Sequence, residues 1–187
     1  MPYTNNTNIS CGLVALIIAG ALVTIQPANA GGTHGKSQTG HAEKTAKDAD
    51  RTIKIKMHDN LYDPETISVK KGETIRFVVQ NDGEFVHEFN IGTAETHAGH
   101  QKEMMMMMEH GVLLPDRINR AMMKMDMGNG VTMEHNDPNS VLLEPGEVGE
   151  VIWTFDETAN LEFACNVPGH YESGMVGKVT ISTKPAS

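Results

Sequence analysis

Cys165-Asn166-Val167-Pro168-Gly169-His170-Tyr171-Glu172-Ser173-Gly174-Met175 is the stretch whose reading decides the fold. It places a thiol, an imidazole and a thioether at the spacing Cys-x4-His-x4-Met. Just before it, Asn160 to Cys165 alternates so that Leu161, Phe163 and Cys165 point inward, the pattern of a half-buried strand. Met175 to Ser182 contains the last strand, with Gly177 allowing a bend or bulge. Pro168-Gly169 turns the chain between the two strands, so the three side chains converge at one end of a sheet. Taken singly, Met175 reads as core, His170 as a turn residue and Cys165 as an inert buried thiol. Taken together at this spacing, they read as metal ligands.

Working outward, the rest of the chain is punctuated like an all-β domain. Thr52 to Met57 alternates as a half-buried strand, Leu61 to Pro64 reads as a turn or loop with aromatic cover, and Thr66 to Val69 is short and extended. Thr74 to Gln80 is a strand with Ile75, Phe77 and Val79 on one face, closed by the turn signal Asn81-Asp82-Gly83. Phe85 to Ile91 alternates again, with Phe85, His87, Phe89 and Ile91 on the buried face and Val86, Glu88 and Asn90 on the other. Strands resume at Val141 to Leu143 and at Glu150 to Phe155. Short strands separated by Gly and Pro turns predict a small β-sandwich and leave no place for β-α-β units.

A histidine on an aromatic strand face is costly unless it is hydrogen-bonded or ligated. Adding His87 to Cys165, His170 and Met175 gives two imidazoles, one thiolate and one thioether, the donor set of a mononuclear blue-type copper centre. Cu(I) favours soft sulfur and Cu(II) favours nitrogen, so a fixed His2Cys plane with a weak axial Met suits both states. Zinc is a poorer match because thioether is a bad zinc ligand. Iron–sulfur clusters need more thiols than the two Cys present. Nucleophilic cysteine chemistry would leave Met175 unexplained.

With these residues in hand, the chain from Thr52 to Ile181 resembles the cupredoxins. Tyr62-Asp63-Pro64, Ile67, Val69, Gly72, Phe77 and Asn81 look like the opening strands of that fold, and His87, Cys165, His170 and Met175 match its four ligands. The Met/His-rich insert, the run Asn139 to Gly146 and the ligand loop are together most similar to the periplasmic copper-tolerance cupredoxins. The resemblance implies a Greek-key β-sandwich carrying a Met/His-rich, partly helical insert, and a bacterial periplasmic protein. One position departs from the pattern. Many cupredoxins place Asn directly after the first His ligand, where it ties the ligand loops together; here that residue is Glu88, on the far side of the strand. The bond to the Cys165 loop is therefore expected from elsewhere, with Asn166 the candidate.

Chain organisation follows from composition. Gly12 to Ile25 is a nearly unbroken apolar run followed by Ala28-Asn29-Ala30, so residues 1–30 read as a cleaved signal peptide rather than a lasting membrane anchor. Residues 31–50 read as a flexible leader carrying His34 and His41, and 51–183 as the cupredoxin domain with an insert at 92–140. Cleavage removes Cys11 and leaves Cys165 alone, so no internal disulfide is expected, and a metal would occupy the thiol in an oxidising compartment. A net charge of −9 over 187 residues, without a Lys/Arg cluster, argues against nucleic-acid binding.

The insert holds ten of the 13 Met, between Met104 and Met133. Glu103 to His110 and Asp116 to Met127 are good helix formers, giving one or two short helices. Five consecutive Met, 104 to 108, cannot all face a core. Three readings compete: a hydrophobic plug on the sandwich, a docking surface for a protein partner, and auxiliary capture of Cu(I) by thioethers and Cu(II) by imidazoles. The interspersed His and Glu favour capture, with His97, His100, Met104, Met108, His110 and His135 as the first candidates. In a helix, Met104 and Met108 would share a face, and His97 and His100 would stand at i, i+3. The leading function is copper tolerance, with copper ions and a periplasmic redox or copper-export protein as partners. The alternative is a dedicated electron carrier between redox partners. A second cupredoxin half is absent from the sequence, which argues against a multicopper enzyme; weak Cu(I) oxidation on the insert is the one activity left open.

Overall fold

Inward alternation along Ile75-Phe77-Val79 and along Phe89-Ile91 supplies the facing surfaces of two sheets. The computed structural model describes residue 1 and residues 45–126, 132–134, 137–156 and 160–183. The expected signal peptide, most of the leader with His34 and His41, and His135 lie outside the described residues. In chain order the strands are β1 (Arg51–His58), β2 (Leu61–Asp63), β3 (Thr66–Lys70), β4 (Thr74–Asn81), β5 (His87–Gly92), β6 (Lys124–Asp126), β7 (Thr132–Glu134), β8 (Ser140–Leu143), β9 (Val148–Thr154), β10 (Glu162–Ala164) and β11 (Val176–Ser182). One helix, α1 (Ala94–Glu109), follows β5.

One sheet has the order β2-β1-β4-β9 and the other β3-β11-β10-β5-β8, while β6 and β7 form a separate hairpin. β1 runs parallel to β4 and β3 parallel to β11, and the other pairs are antiparallel. This is the expected cupredoxin-like sandwich with a helical insert. Its core is aromatic at the centre. Tyr62 meets Phe163 edge-on at 4.9 Å between centroids, and Phe89 lies 5.1 Å from Phe77 and 5.3 Å from Phe163. Each such side chain removed from water contributes roughly 1.5–3 kcal/mol.

Several sequence expectations are corrected. Leu61 to Asp63 is a strand rather than a loop, because it pairs with Lys56 to His58 and seats Tyr62 in the core. Phe85 is 45 % exposed, and Val86 is buried in its place. The strand alternation starts only at His87, since the Val86 N–H is drawn out to the insert carbonyl of Pro115 at 2.7 Å. Gly177 makes no bulge: it pairs in register with Phe163, and a Cβ there would run into the Phe163 ring. Residues 116–126 form a single 3-10 turn, Arg120–Met122, and then β6, not a second helix. The end of the expected flexible leader is also tied down, with the Asp50 N–H donating to the Thr74 carbonyl at 2.8 Å.

β5 differs most from the sequence picture, because every one of its six residues is buried. α1 covers the outer face. The helix starts at the N-cap Thr93, whose side chain accepts from the Thr96 N–H. His97, His100, Met104 and Met107 then form one buried stripe.

Candidate metal centre

The ligand loop between β10 and β11 is a stack of tight turns. His170 N–H donates to the Val167 carbonyl at 2.9 Å, and Met175 N–H donates to the His170 carbonyl at 3.0 Å. The Cys165 N–H then reaches the Met175 carbonyl at 3.1 Å, so the first and last candidate donors of the loop are backbone neighbours. β5 stands next to β10 in the same sheet and brings His87 to this end. The three atoms that result form a compact triangle. Cys165 Sγ lies 3.3 Å from His170 Nδ1 and 3.9 Å from His87 Nδ1, and the two Nδ1 atoms are 3.1 Å apart. A point about 2.0 Å from all three lies inside that triangle, close to the lengths of metal–imidazole and metal–thiolate bonds. Among the described residues no other His, Cys, Asp or Glu trio is gathered this closely. Met175 is fully buried beside them.

The protonation states suit a cation. Burial lowers the His87 imidazole, and burial together with His87 lowers His170 to about 4. Both rings are therefore neutral at neutral pH. His87 Nε2–H donates to Asp59 Oδ1 at 2.9 Å, which fixes the tautomer and leaves the Nδ1 lone pair facing Cys165 and His170. Burial would raise the Asp59 carboxyl, but the bonds from His87 and the Glu84 N–H outweigh it and hold it low. Gly83 packs flat over this contact; a Cβ there would strike both Asp59 and His87. Sequence reading missed Asp59, which sits in the ordinary turn after β1 and carries no spacing signal. Burial pushes the Cys165 thiol up to about 12, so a bound cation must displace its proton.

Glu88 corrects the expectation about the loop tie. The Glu88 N–H donates to Cys165 Sγ at 3.3 Å, and its carbonyl accepts from the buried Tyr62 hydroxyl at 2.6 Å. Its carboxylate is fully buried and accepts from the Asn166 side chain at 2.8 Å and the Asn166 N–H at 3.3 Å. The tie therefore runs from Glu88 to Asn166, and the residue after the first histidine keeps the job with a longer side chain.

The auxiliary candidates are placed apart. His97 and His100 are buried but do not form an i, i+3 chelate, because each ring is turned to its own partner. His100 Nε2–H donates to Glu88 Oε1 at 2.9 Å, and His97 Nδ1 lies 3.2 Å from Asn166 Nδ2. Burial lowers His97, keeping it neutral. Burial would lower His100 too, but Glu88, Glu103 and Asp137 overcome it and carry it up to about 10. Met104 is in the core, whereas Met108 is 36 % exposed, so the two do not share one environment; the buried partner of Met104 is Met107. His110 caps the helix end in solvent, its Nδ1 2.8 Å from the Met106 carbonyl.

A family model described as a cupredoxin-like domain matches residues 15–99, a stretch that includes His87 and ends before the ligand loop. The copper-resistant cuproprotein CopI of Pseudomonas aeruginosa is 44% identical over 174 residues, spanning 89% of this chain and 94% of that protein. The protein of the same name from Rubrivivax gelatinosus is 37% identical over 177 residues, spanning 89% and 93%. Among solved structures, reduced auracyanin from Roseiflexus castenholzii superposes with a TM-score of 0.51 at 22% identity, covering 72% of this chain and 98% of its own. Auracyanin B gives 0.53 at 17% identity, covering 78% and 96%. At those identities the likeness is one of fold. No helix among the described residues is long and apolar enough to cross a membrane.

Proposed function

The chain belongs to the CopI family of cupredoxin-like proteins, and on that premise we propose that it is an exported, periplasmic copper-binding protein serving copper tolerance through a redox-active type 1 centre. Its ligands are His87, Cys165, His170 and Met175. The observation that carries the reading is the triangle of Cys165 Sγ, His87 Nδ1 and His170 Nδ1, with edges of 3.1 to 3.9 Å. Two neutral nitrogens and one thiol fit copper in either oxidation state, and the buried thioether of Met175 supplies the weak fourth donor. Bound there, copper supplies one-electron chemistry between Cu(I) and Cu(II).

The protein's own part is to hold the donors still. Asp59 fixes the His87 tautomer, the stacked turns of 165–175 fix Cys165 against Met175, and the packed strands β5 and β10 fix the two halves together. The chain holds copper and is not an enzyme. The wider domain plan is read as a signal segment at 1–30, a leader at 31–50 and the copper domain at 51–183. Auxiliary capture is assigned to the exposed thioethers Met105 and Met108, one helical turn apart. Met104 serves packing, while His97 and His100 are committed to Asn166 and Glu88.

Metal analysis of the mature protein, with visible and electron paramagnetic resonance spectra, tests the reading. One copper per chain with an intense thiolate-to-copper band is expected, together with further Cu(I) bound on α1. Cells lacking the protein are expected to be copper-sensitive and to recover with the wild type but not with Cys165→Ser. Absence of the band, or full rescue by Cys165→Ser, sinks the assignment. A single copper per chain and unchanged tolerance in cells lacking the protein would favour the electron-carrier alternative.

A further inference from the structure

β5 presents two chemistries on its two faces. His87 looks toward the metal triangle. Glu88, the next residue, looks the other way, under α1, and is as fully buried as the ligand. A buried carboxylate needs several donors to offset its lost hydration. Here they come from three other segments. His100 of α1 donates to Oε1 at 2.9 Å, Ser140 of β8 donates to the same oxygen at 2.6 Å, and Asn166 of the ligand loop donates twice to Oε2. The backbone of Glu88 is equally committed, with its N–H on Cys165 Sγ and its carbonyl on Tyr62.

We propose that Glu88 and His100 are positioning residues of the copper centre, an ion pair that holds the Cys165–Asn166 corner from the face of β5 opposite His87. This rests on the reading of His87, Cys165, His170 and Met175 as the copper ligands. Three observations lead to it. First, the pair is inside the protein: His100 is 3 % exposed and Glu88 not at all, so solvent does not screen it as it would a surface pair. Second, the carboxylate touches the residue immediately after the cysteine ligand through both its backbone and its side chain. Third, the partner cation comes from the insert. His100 is held from its other side by Glu103 at 3.4 Å and Asp137 at 3.9 Å. These contacts keep it an imidazolium, in line with its upward shift. The insert's helix is thereby part of the wall of the centre.

The pair carries opposite charges next to a site whose charge changes by one on reduction, which gives a signature that simple packing lacks. Loss of the Glu88 charge disfavours Cu(II), and loss of the His100 charge favours it. The experiment uses the full mature chain as wild type, Glu88→Gln, His100→Gln and the double variant, loaded with copper, and reads the reduction potential and the visible band. The band is expected to persist in all four. The potential is expected to rise in Glu88→Gln and fall in His100→Gln. Each shift should be of the order of a tenfold change in the Cu(II)-to-Cu(I) affinity ratio, about 59 mV for one electron. The double variant is expected between them.

A second readout needs no copper: the rate at which a disulfide reagent modifies Cys165 in the metal-free protein. It is expected to rise about tenfold or more in Glu88→Gln as the corner loosens, since exposure of a buried thiol then requires a smaller local opening. Should His100→Gln fail to fold, Ser140→Ala takes its place; it removes one donor without changing charge and is expected to speed thiol modification while leaving the potential unmoved. Potentials that are unchanged, or that move the same way in both single variants, overturn the proposal, as does an unchanged thiol rate in Glu88→Gln. A wild type without a Cys165-dependent band would instead overturn the copper reading itself, so the two failures are distinguishable.

Discussion

Between Cys165 and Met175 three sulfur or nitrogen side chains of metal-ligating type occupy eleven residues; between His97 and Met108 seven occupy twelve. By density of donors the helix should be the richer metal site. The structure reverses that ranking. In the loop, successive turns fold three donors back on one another, and β5 adds a fourth from 78 residues away. Along α1 the donors are spread by 100° per residue around a cylinder. Two thioethers go into the core, two face solvent, and both imidazoles are turned to partners other than each other. Composition names the available chemistry, and backbone geometry decides where it is concentrated.

The largest test of that contrast is Cys165→Ser, expected to abolish the intense visible band and most of the copper-induced rise in melting temperature. In the wild type that rise corresponds to about 4 kcal/mol when free copper exceeds its dissociation constant a thousandfold. Thermal melts with and without copper, beside the absorption spectrum, provide the check. A band that survives in the serine variant would move the centre away from the loop.

Next in size is a contrast within the helix. Met104→Ala and Met107→Ala are expected to cost roughly 2–5 kcal/mol each, the range for emptying a core position. Met105→Ala and Met108→Ala should stay within about 0.5 kcal/mol. Denaturant unfolding of the metal-free protein measures both pairs, and equal costs would mean that α1 is not docked as described.

Asp59→Asn separates donor identity from donor orientation. All four ligands remain, but the carboxylate that fixes the His87 tautomer is gone, and copper affinity is expected to fall about 10–100-fold. Competition titration against a chelator of known affinity reads it. A smaller effect follows from pH. His100 has an ordinary value of 6.5 and a folded value of about 10. Its contribution to stability is therefore fully present below pH 6.5 and is lost as pH rises toward 10, because the folded chain holds the proton longer. Melts of the metal-free protein across that window should decline, and the decline should be shallower in His100→Gln. The smallest effect on the fold is expected from Met105→Leu with Met108→Leu, a volume-conserving swap on the surface. Its interest lies elsewhere: Cu(I) bound per chain should fall while the coloured centre is unchanged, and unchanged Cu(I) would return these residues to plain surface.

The loop and its partner histidine were legible from sequence because their signals are local or periodic. Cys165, His170 and Met175 lie within one turn-bounded stretch, and His87 is marked by a two-residue alternation that puts a polar ring on an aromatic face. Asp59 and His100 were not legible as supports for the centre. Neither lies beside His87, Cys165, His170 or Met175 in sequence, and Asp59 reaches His87 and His100 reaches Glu88 by contacts that no periodicity records. Glu88 was half legible. Alternation gives its face correctly, but nothing in the strand itself announces that α1 lies over that face and buries it. The missing second helix has the same origin: Asp116 to Met127 has helical propensity, and the contacts of Pro115 with Val86 and of Arg120 with Glu147 tie the segment to the sandwich instead.

The order β3-β11-β10-β5-β8 has a kinetic consequence. The last strand of the chain is an interior strand of its sheet, flanked by β3 from the beginning and β10 from the end. Until β11 arrives, β3 has no neighbour in that sheet and Met175 has no anchor. A chain delivered N-terminus first thus carries His87 and α1 out early, and can bring His87, Cys165, His170 and Met175 together only with its final segment. On the proposed reading, copper would meet a finished fold rather than an emerging chain, and the timing of metallation would be written into strand order rather than into the ligands.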